Sequence, residues 1–82
     1  MNIAKRNVSK NEICLTIPSV KSQIVNVRVV NVLGEAKISI WEQIQLGEND
    51  VLINTSLLSK GSYRILVDYN GNSTMEEKLF IY

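Results

Sequence analysis

The chain has 82 residues, 9 Lys plus Arg against 8 Asp plus Glu, no His and one Cys, enough for one domain and no second core. Without His it lacks the commonest general base, metal ligand and pH switch near neutrality. With one Cys it can form neither an internal disulfide nor a thiolate zinc site nor a redox dithiol. A net charge of +1 falls short of the basic excess of a dedicated nucleic-acid binder, so composition points to a small non-enzyme with no cofactor or metal.

The first residues do not read as a signal peptide. Met1-Asn2-Ile3-Ala4-Lys5-Arg6-Asn7 puts charge where an apolar segment should follow. The longest apolar-rich stretch, Ile24 to Leu33, is broken by Asn26, Arg28 and Asn31. It is far from the ~20 apolar residues a spanning helix needs. Three Asn-x-Ser/Thr triplets, at Asn7, Asn54 and Asn72, read as chance in a chain rich in Asn and Ser.

Residues 1–11 carry Lys5, Arg6 and Lys10 with no acid, and read as a flexible basic arm or the end of a linker. A β-sandwich is expected over residues 12–82. From Glu12 the apolar period is two: Ile13, Leu15 and Ile17 share a face, with Cys14 and Thr16 opposite. Pro18, with no N–H to donate, ends this strand or marks an edge. Val25, Val27 and Val29 form the next alternation, and the doublet Val29-Val30 predicts a bulge or burial on both faces. Gly34 then closes a hairpin.

A third strand runs near Ala36 to Leu46, with Ile38, Ile40, Ile44 and Leu46 on one face and Trp41 on the other. Leu46 to Asp50 reads as a turn cluster, and Val51 and Ile53 as a short fourth strand. Asn54 to Gly61 reads as a loop with room for one helical turn near Leu57-Leu58. Tyr63, Ile65, Val67 and Tyr69 alternate strictly, Asn70-Gly71 is the best hairpin signal in the chain, and Glu76 to Tyr82 closes the set. Six or seven short strands at roughly ten-residue spacing predict an all-β, immunoglobulin-like antiparallel sandwich. The predicted core is Ile13, Leu15, Ile17, Val25, Val27, Val29, Ile38, Ile40, Ile44, Val51, Ile53, Leu58, Tyr63, Ile65, Val67, Leu79 and Ile81.

Few constellations carry chemistry. Glu48 and Asp50 share a turn but lack the ligand ladder of a calcium loop. Cys14 alternates with apolar residues and reads as a small buried hydrophobe. Trp41, Phe80 and Tyr82 lie opposite the main alternation, where packing on a second face outweighs an exposed aromatic patch.

Four segments are more specific. Val25 to Glu35, with its polar turn before Gly34, resembles a segment of bacterial type IX secretion C-terminal sorting domains. Gly47-Glu48-Asn49-Asp50-Val51-Leu52-Ile53 resembles their Gly-x-Asn turn and following strand. Leu58-Ser59-Lys60-Gly61-Ser62-Tyr63 is similar to their Leu-x-x-Gly-x-Tyr signature, and Lys78-Leu79-Phe80-Ile81-Tyr82 to their last strand. Two positions depart from the pattern: Lys10-Asn11-Glu12-Ile13 stands where members carry a Pro-Asn-Pro segment, and Tyr82 stands where a basic residue is common.

The resemblance implies a sandwich fused behind a cargo domain, recognised by an outer-membrane translocon and removed by a sortase-like peptidase. The domain would pass through the periplasm toward the cell surface or the medium. It assigns recognition to Gly61, Tyr63, Lys78, Phe80 and Ile81, and the fold to Gly34, Gly47, Asn49 and Leu58, with no catalytic residue. The alternative is a stand-alone secreted immunoglobulin-like module that binds a protein or glycan near Trp41.

Overall fold

The computed structural model describes residues 3–70 and 73–82. Seven strands follow in order: β1 (Ala4–Ser9), β2 (Glu12–Ser19), β3 (Gln23–Val30), β4 (Ala36–Ile44), β5 (Gly47–Asn54), β6 (Gly61–Tyr69) and β7 (Ser73–Ile81). They build a three-stranded sheet, β1-β2-β5, and a four-stranded sheet, β4-β3-β6-β7, with every pair antiparallel. The chain crosses between the sheets after β2, after β4 and after β5. This is an all-β sandwich of the immunoglobulin-like kind.

The period-two pattern decides the layers. Ile13, Leu15, Ile17, Val51 and Ile53 line the inner face of the smaller sheet. Val25, Val27, Val29, Ile65, Val67, Tyr69 and Leu79 line that of the larger, and all lie in one buried cluster with Ile3, Ile44 and Tyr63. Ile38, Ile40, Leu58 and Ile81, expected in the core, pack against it half-buried. Each fully buried Val, Leu or Ile contributes about 1.5–3 kcal/mol, so this cluster is the main support of a small domain. The doublet at Val29-Val30 does both things its sequence allows: the β3–β4 register shifts there, and Val30 is buried on the outer face.

Several expectations change. Residues 4–9 are not an arm but β1, paired with β2 from Ala4↔Thr16 to Ser9↔Glu12 around a register shift. Ile3, beside it, is buried in the core. The strand escaped a periodicity reading because its own residues stay largely on the surface. β2 continues through Pro18, which pairs with Glu48 of β5 and, among the described residues, lies past the last β1 pairing.

Residues 47–50 belong to β5 rather than to a turn, opposite Ser19 to Thr16. Leu46 is exposed because the chain leaves the larger sheet after Ile44. No helical turn forms at Leu57-Leu58. Of the Asn70-Gly71 hairpin, Asn70 has a left-handed φ of 51°, while Gly71, like Asn72, lies outside the described residues. Trp41, Phe80 and Tyr82 are not packed on a second face: they are 71%, 50% and 95% exposed.

Candidate functional site: the β6–β7 end

Two of the three sheet crossings are held by side chains from the motifs above. The first is the two-residue step from β4 to β5. Asn49 accepts the Gln45 N–H at 2.8 Å through Oδ1, and its Nδ2 donates to the carbonyls of Gln45 at 2.9 Å, Ile17 at 3.1 Å and Gly47 at 3.3 Å. One amide thus ties the crossing to β2. An aspartate could not do this, because Nδ2 supplies the donors. Gly47 beside it takes φ +107°, a conformation that L side chains rarely adopt.

The second crossing is the loop 55–60 between β5 and β6. Buried Thr55 donates its N–H to the Asn11 carbonyl at 2.7 Å, and Leu58 donates back to Thr55 at 3.1 Å. Leu58 packs beneath the loop against the core. Tyr63 buries its ring and donates its hydroxyl to the Ser59 carbonyl at 2.7 Å. A buried ring with a hydroxyl bonded to backbone four residues upstream is the tyrosine corner of immunoglobulin-like sandwiches. Leu58, Gly61 and Tyr63 therefore fix where β6 starts.

From that start the β6–β7 register follows: Gly61↔Ile81, Ser62↔Phe80, Tyr63↔Leu79 and Arg64↔Lys78. The expected site residues come together on these paired strands, but with different exposure. Tyr63 is buried and Ile81 half-buried, whereas Lys78 and Phe80 point out to solvent. A groove of about 420 Å³ opens on the outer face, between Asn31 and Val32 on one side and Lys78 and Phe80 on the other, with Ser62 and Arg64 between them. A second hollow of about 460 Å³ lies at the sandwich edge, where Lys10, Asn11, Leu58 and Lys60 meet Phe80 and Ile81.

The surroundings are basic. Arg64 reaches Glu76 at 3.8 Å, and among the described residues Lys78 forms no ion pair. Arg64, Ser62, Asn31 and Val32 were not singled out in the sequence. Strict alternation through Tyr63 and Ile65 does put Ser62 and Arg64 outward, but Asn31 and Val32 reach the groove only through tertiary pairing.

Elsewhere, Tyr69 donates its hydroxyl to the Pro18 carbonyl at 2.8 Å, joining the two sheets, and burial raises its pKa above 10.0. Gly34 closes the β3–β4 turn at φ +84°, where Asn31 accepts the N–H groups of Leu33 and Glu35. Asp50 accepts from the Thr16 hydroxyl at 2.9 Å, and Cys14 is buried between its cross-strand neighbours Arg6 and Leu52. Among the described residues no three metal-ligating side chains cluster, and no helix is long and apolar enough to cross a membrane.

Residues 7–82 match the family described as the secretion system C-terminal sorting domain. The chain belongs to this family. The match spans both stitched crossings and all four resembling segments, and it starts inside β1, five residues before the boundary expected from the sequence. No curated protein matches the chain. A type IX sorting domain is a secretion signal rather than a catalyst, and it directs export toward the cell surface or the extracellular space.

Proposed function

We propose that the outer-membrane translocon of the type IX system reads the β6–β7 end of this sorting domain, and that a sortase-like peptidase then removes the domain from its cargo. The observation that supports this reading is the division of labour among the five candidate residues. Gly61, Tyr63 and Ile81 hold the corner and the register. Lys78 and Phe80 project from that frame into solvent beside a groove. Fixed backbone with exposed charged and aromatic side chains is what a protein partner can read with little ordering cost.

The test fuses residues 1–82 behind a periplasmic reporter in a host with this secretion system. The reporter is expected outside the cell, and Lys78→Glu with Phe80→Ser is expected to retain it in the periplasm. A parent fusion that stays periplasmic while a known sorting domain exports the same reporter removes the reading. The mass of exported reporter tests removal: a species still carrying the domain eliminates the peptidase step.

A second reading, a protein- or glycan-binding module, is favoured by Trp41. It is 71% exposed and stands across the β4–β3 ladder from Asn26, whose Nδ2 is held by Ser39 and the Ile40 carbonyl. An indole flanked by an oriented amide suits the apolar face of a sugar ring. A glycan array on the parent domain and Trp41→Ala decides it, and no binding by the parent removes it.

A further inference from the structure

The edge of β7 lies between two hollows. The groove over Arg64 and Lys78 opens on the outer face, the hollow over Leu58 and Lys60 opens at the sandwich edge, and Phe80 borders both. Among the described residues β7 is laddered on one side alone, to β6, which leaves a row of backbone donors and acceptors open to a further strand. Side chains of an added strand alternate between faces, so they would point in turn toward the side of each hollow.

We propose that β7 pairs with an extended segment of a partner protein, one whose outward side chains place an acidic residue beside Lys78 and an apolar residue beside Phe80. The proposal rests on the reading that the export machinery contacts this end, and it names the chemistry of that contact. Lys78 selects an acid because it faces Arg64 directly across the ladder. Two cations held opposite each other repel, and a carboxylate on the free side of Lys78 offsets that charge. Phe80, 50% exposed on the outer face of β7, gives the neighbouring position an apolar contact. Outward Glu76, two residues before Lys78, asks for a basic residue next along the segment. An antiparallel partner therefore runs apolar, x, acidic, x, basic. Strand addition of this kind takes its affinity from main-chain bonds and its specificity from alternate side chains.

The probe is acetyl-Thr-Val-Leu-Glu-Thr-Lys-Thr-amide with a fluorophore, titrated against residues 1–82. Saturable binding is expected, with slowed amide exchange confined to β7 and its β6 neighbour. Replacing the probe Glu by Gln, or the domain's Lys78→Glu, should each weaken binding, the charge reversal by about tenfold. A probe with Lys at the Glu position should restore binding to Lys78→Glu, which separates pairing from misfolding.

No binding, equal binding of the Gln probe, or binding without protection of β7 overturns the inference. So does capture of the domain by phosphatidylserine vesicles through Lys78 in place of the peptide. The two proposals fail separately. Export lost in Lys78→Glu with no probe binding sinks the strand-pairing inference alone. Probe binding with normal export of Lys78→Glu sinks the translocon reading alone.

Discussion

The two faces of the β6–β7 pair are made by the same strands and obey different rules. Inward, Tyr63, Ile65, Val67, Tyr69 and Leu79 are all buried, and the two tyrosine hydroxyls each find a backbone carbonyl. Outward, Arg64, Glu76, Lys78 and Phe80 are exposed, and their one ion pair is stretched to 3.8 Å. The inward face can change little without losing the fold. The outward face can change freely unless something outside the molecule reads it. The Leu-x-x-Gly-x-Tyr signature is an inward motif. It therefore reports how the sandwich is closed, and in the proposed reading the recognition signal lies on the other face.

The largest effect comes from the inward corner. Tyr63→Ala removes a buried ring and the hydroxyl bond that holds loop 55–60, and is expected to cost about 3–5 kcal/mol. Such a loss approaches the whole stability of a small domain. Tyr63→Phe keeps the ring and should cost about 1 kcal/mol. Urea unfolding of both variants checks the pair: equal losses would mean that the hydroxyl, and not the ring, closes the corner.

The next effect lies at the other stitched crossing. Asn49→Ala removes one accepted and three donated hydrogen bonds and leaves the Gln45 amide and the Ile17 carbonyl without that partner. At about 0.5–1.5 kcal/mol for each bond that matters, the expected loss is about 2–3 kcal/mol. Asn49→Asp keeps the accepted bond and loses the donated ones, so it should fall nearly as far. Retained stability in Asn49→Asp would show that the single Gln45 bond holds the crossing.

These two crossings also show what could be read from the sequence. Period-two alternation in β2, β3 and β6 is strong because each strand packs one face on a full core, and it located the inner residues. Gly47, Asn49, Gly61 and Tyr63 stand out through short motifs of the family resemblance, although residues 47–50 pair as strand and not as a turn. What escaped was non-local. β1 contributes little of its own to the core and is held by pairing with β2, so no pattern in residues 4–9 announces it. The Tyr69 hydroxyl finds Pro18, 51 residues away. The groove joins Val32 to Phe80 through strand order, which alternation does not encode. Phe80 and Trp41 were expected to pack on a second face, but a two-layer sandwich provides none.

Tyr69→Phe tests the inward face at its far end, with an expected loss of about 1–2 kcal/mol at neutral pH. Its pH dependence has a defined sign. Burial raises the Tyr69 pKa above 10.0, so folding favours the neutral phenol. That contribution is complete below pH 10 and is lost as pH rises through the folded-state pKa. The parent should therefore lose stability above pH 10 more steeply than Tyr69→Phe, and the gap between them should narrow. Parallel curves of unfolding free energy against pH would mean that burial does not favour the neutral phenol in the folded state.

The smallest effect on stability, and the sharpest on the comparison, belongs to Lys78→Glu. An exposed substitution away from caps and core changes stability by at most about 0.5 kcal/mol. Here the sign should be slightly favourable, since a glutamate at 78 would face Arg64 in place of a second cation. Thermal melts should show an unchanged or marginally higher midpoint. Export of a fused reporter should nevertheless fall. A variant that folds at least as well and travels worse cannot be acting through the fold, because the inward face is untouched. Export that declines only when the midpoint also declines would instead return the whole β6–β7 pair to a structural role. The translocon would then have to be reading another face of the sandwich.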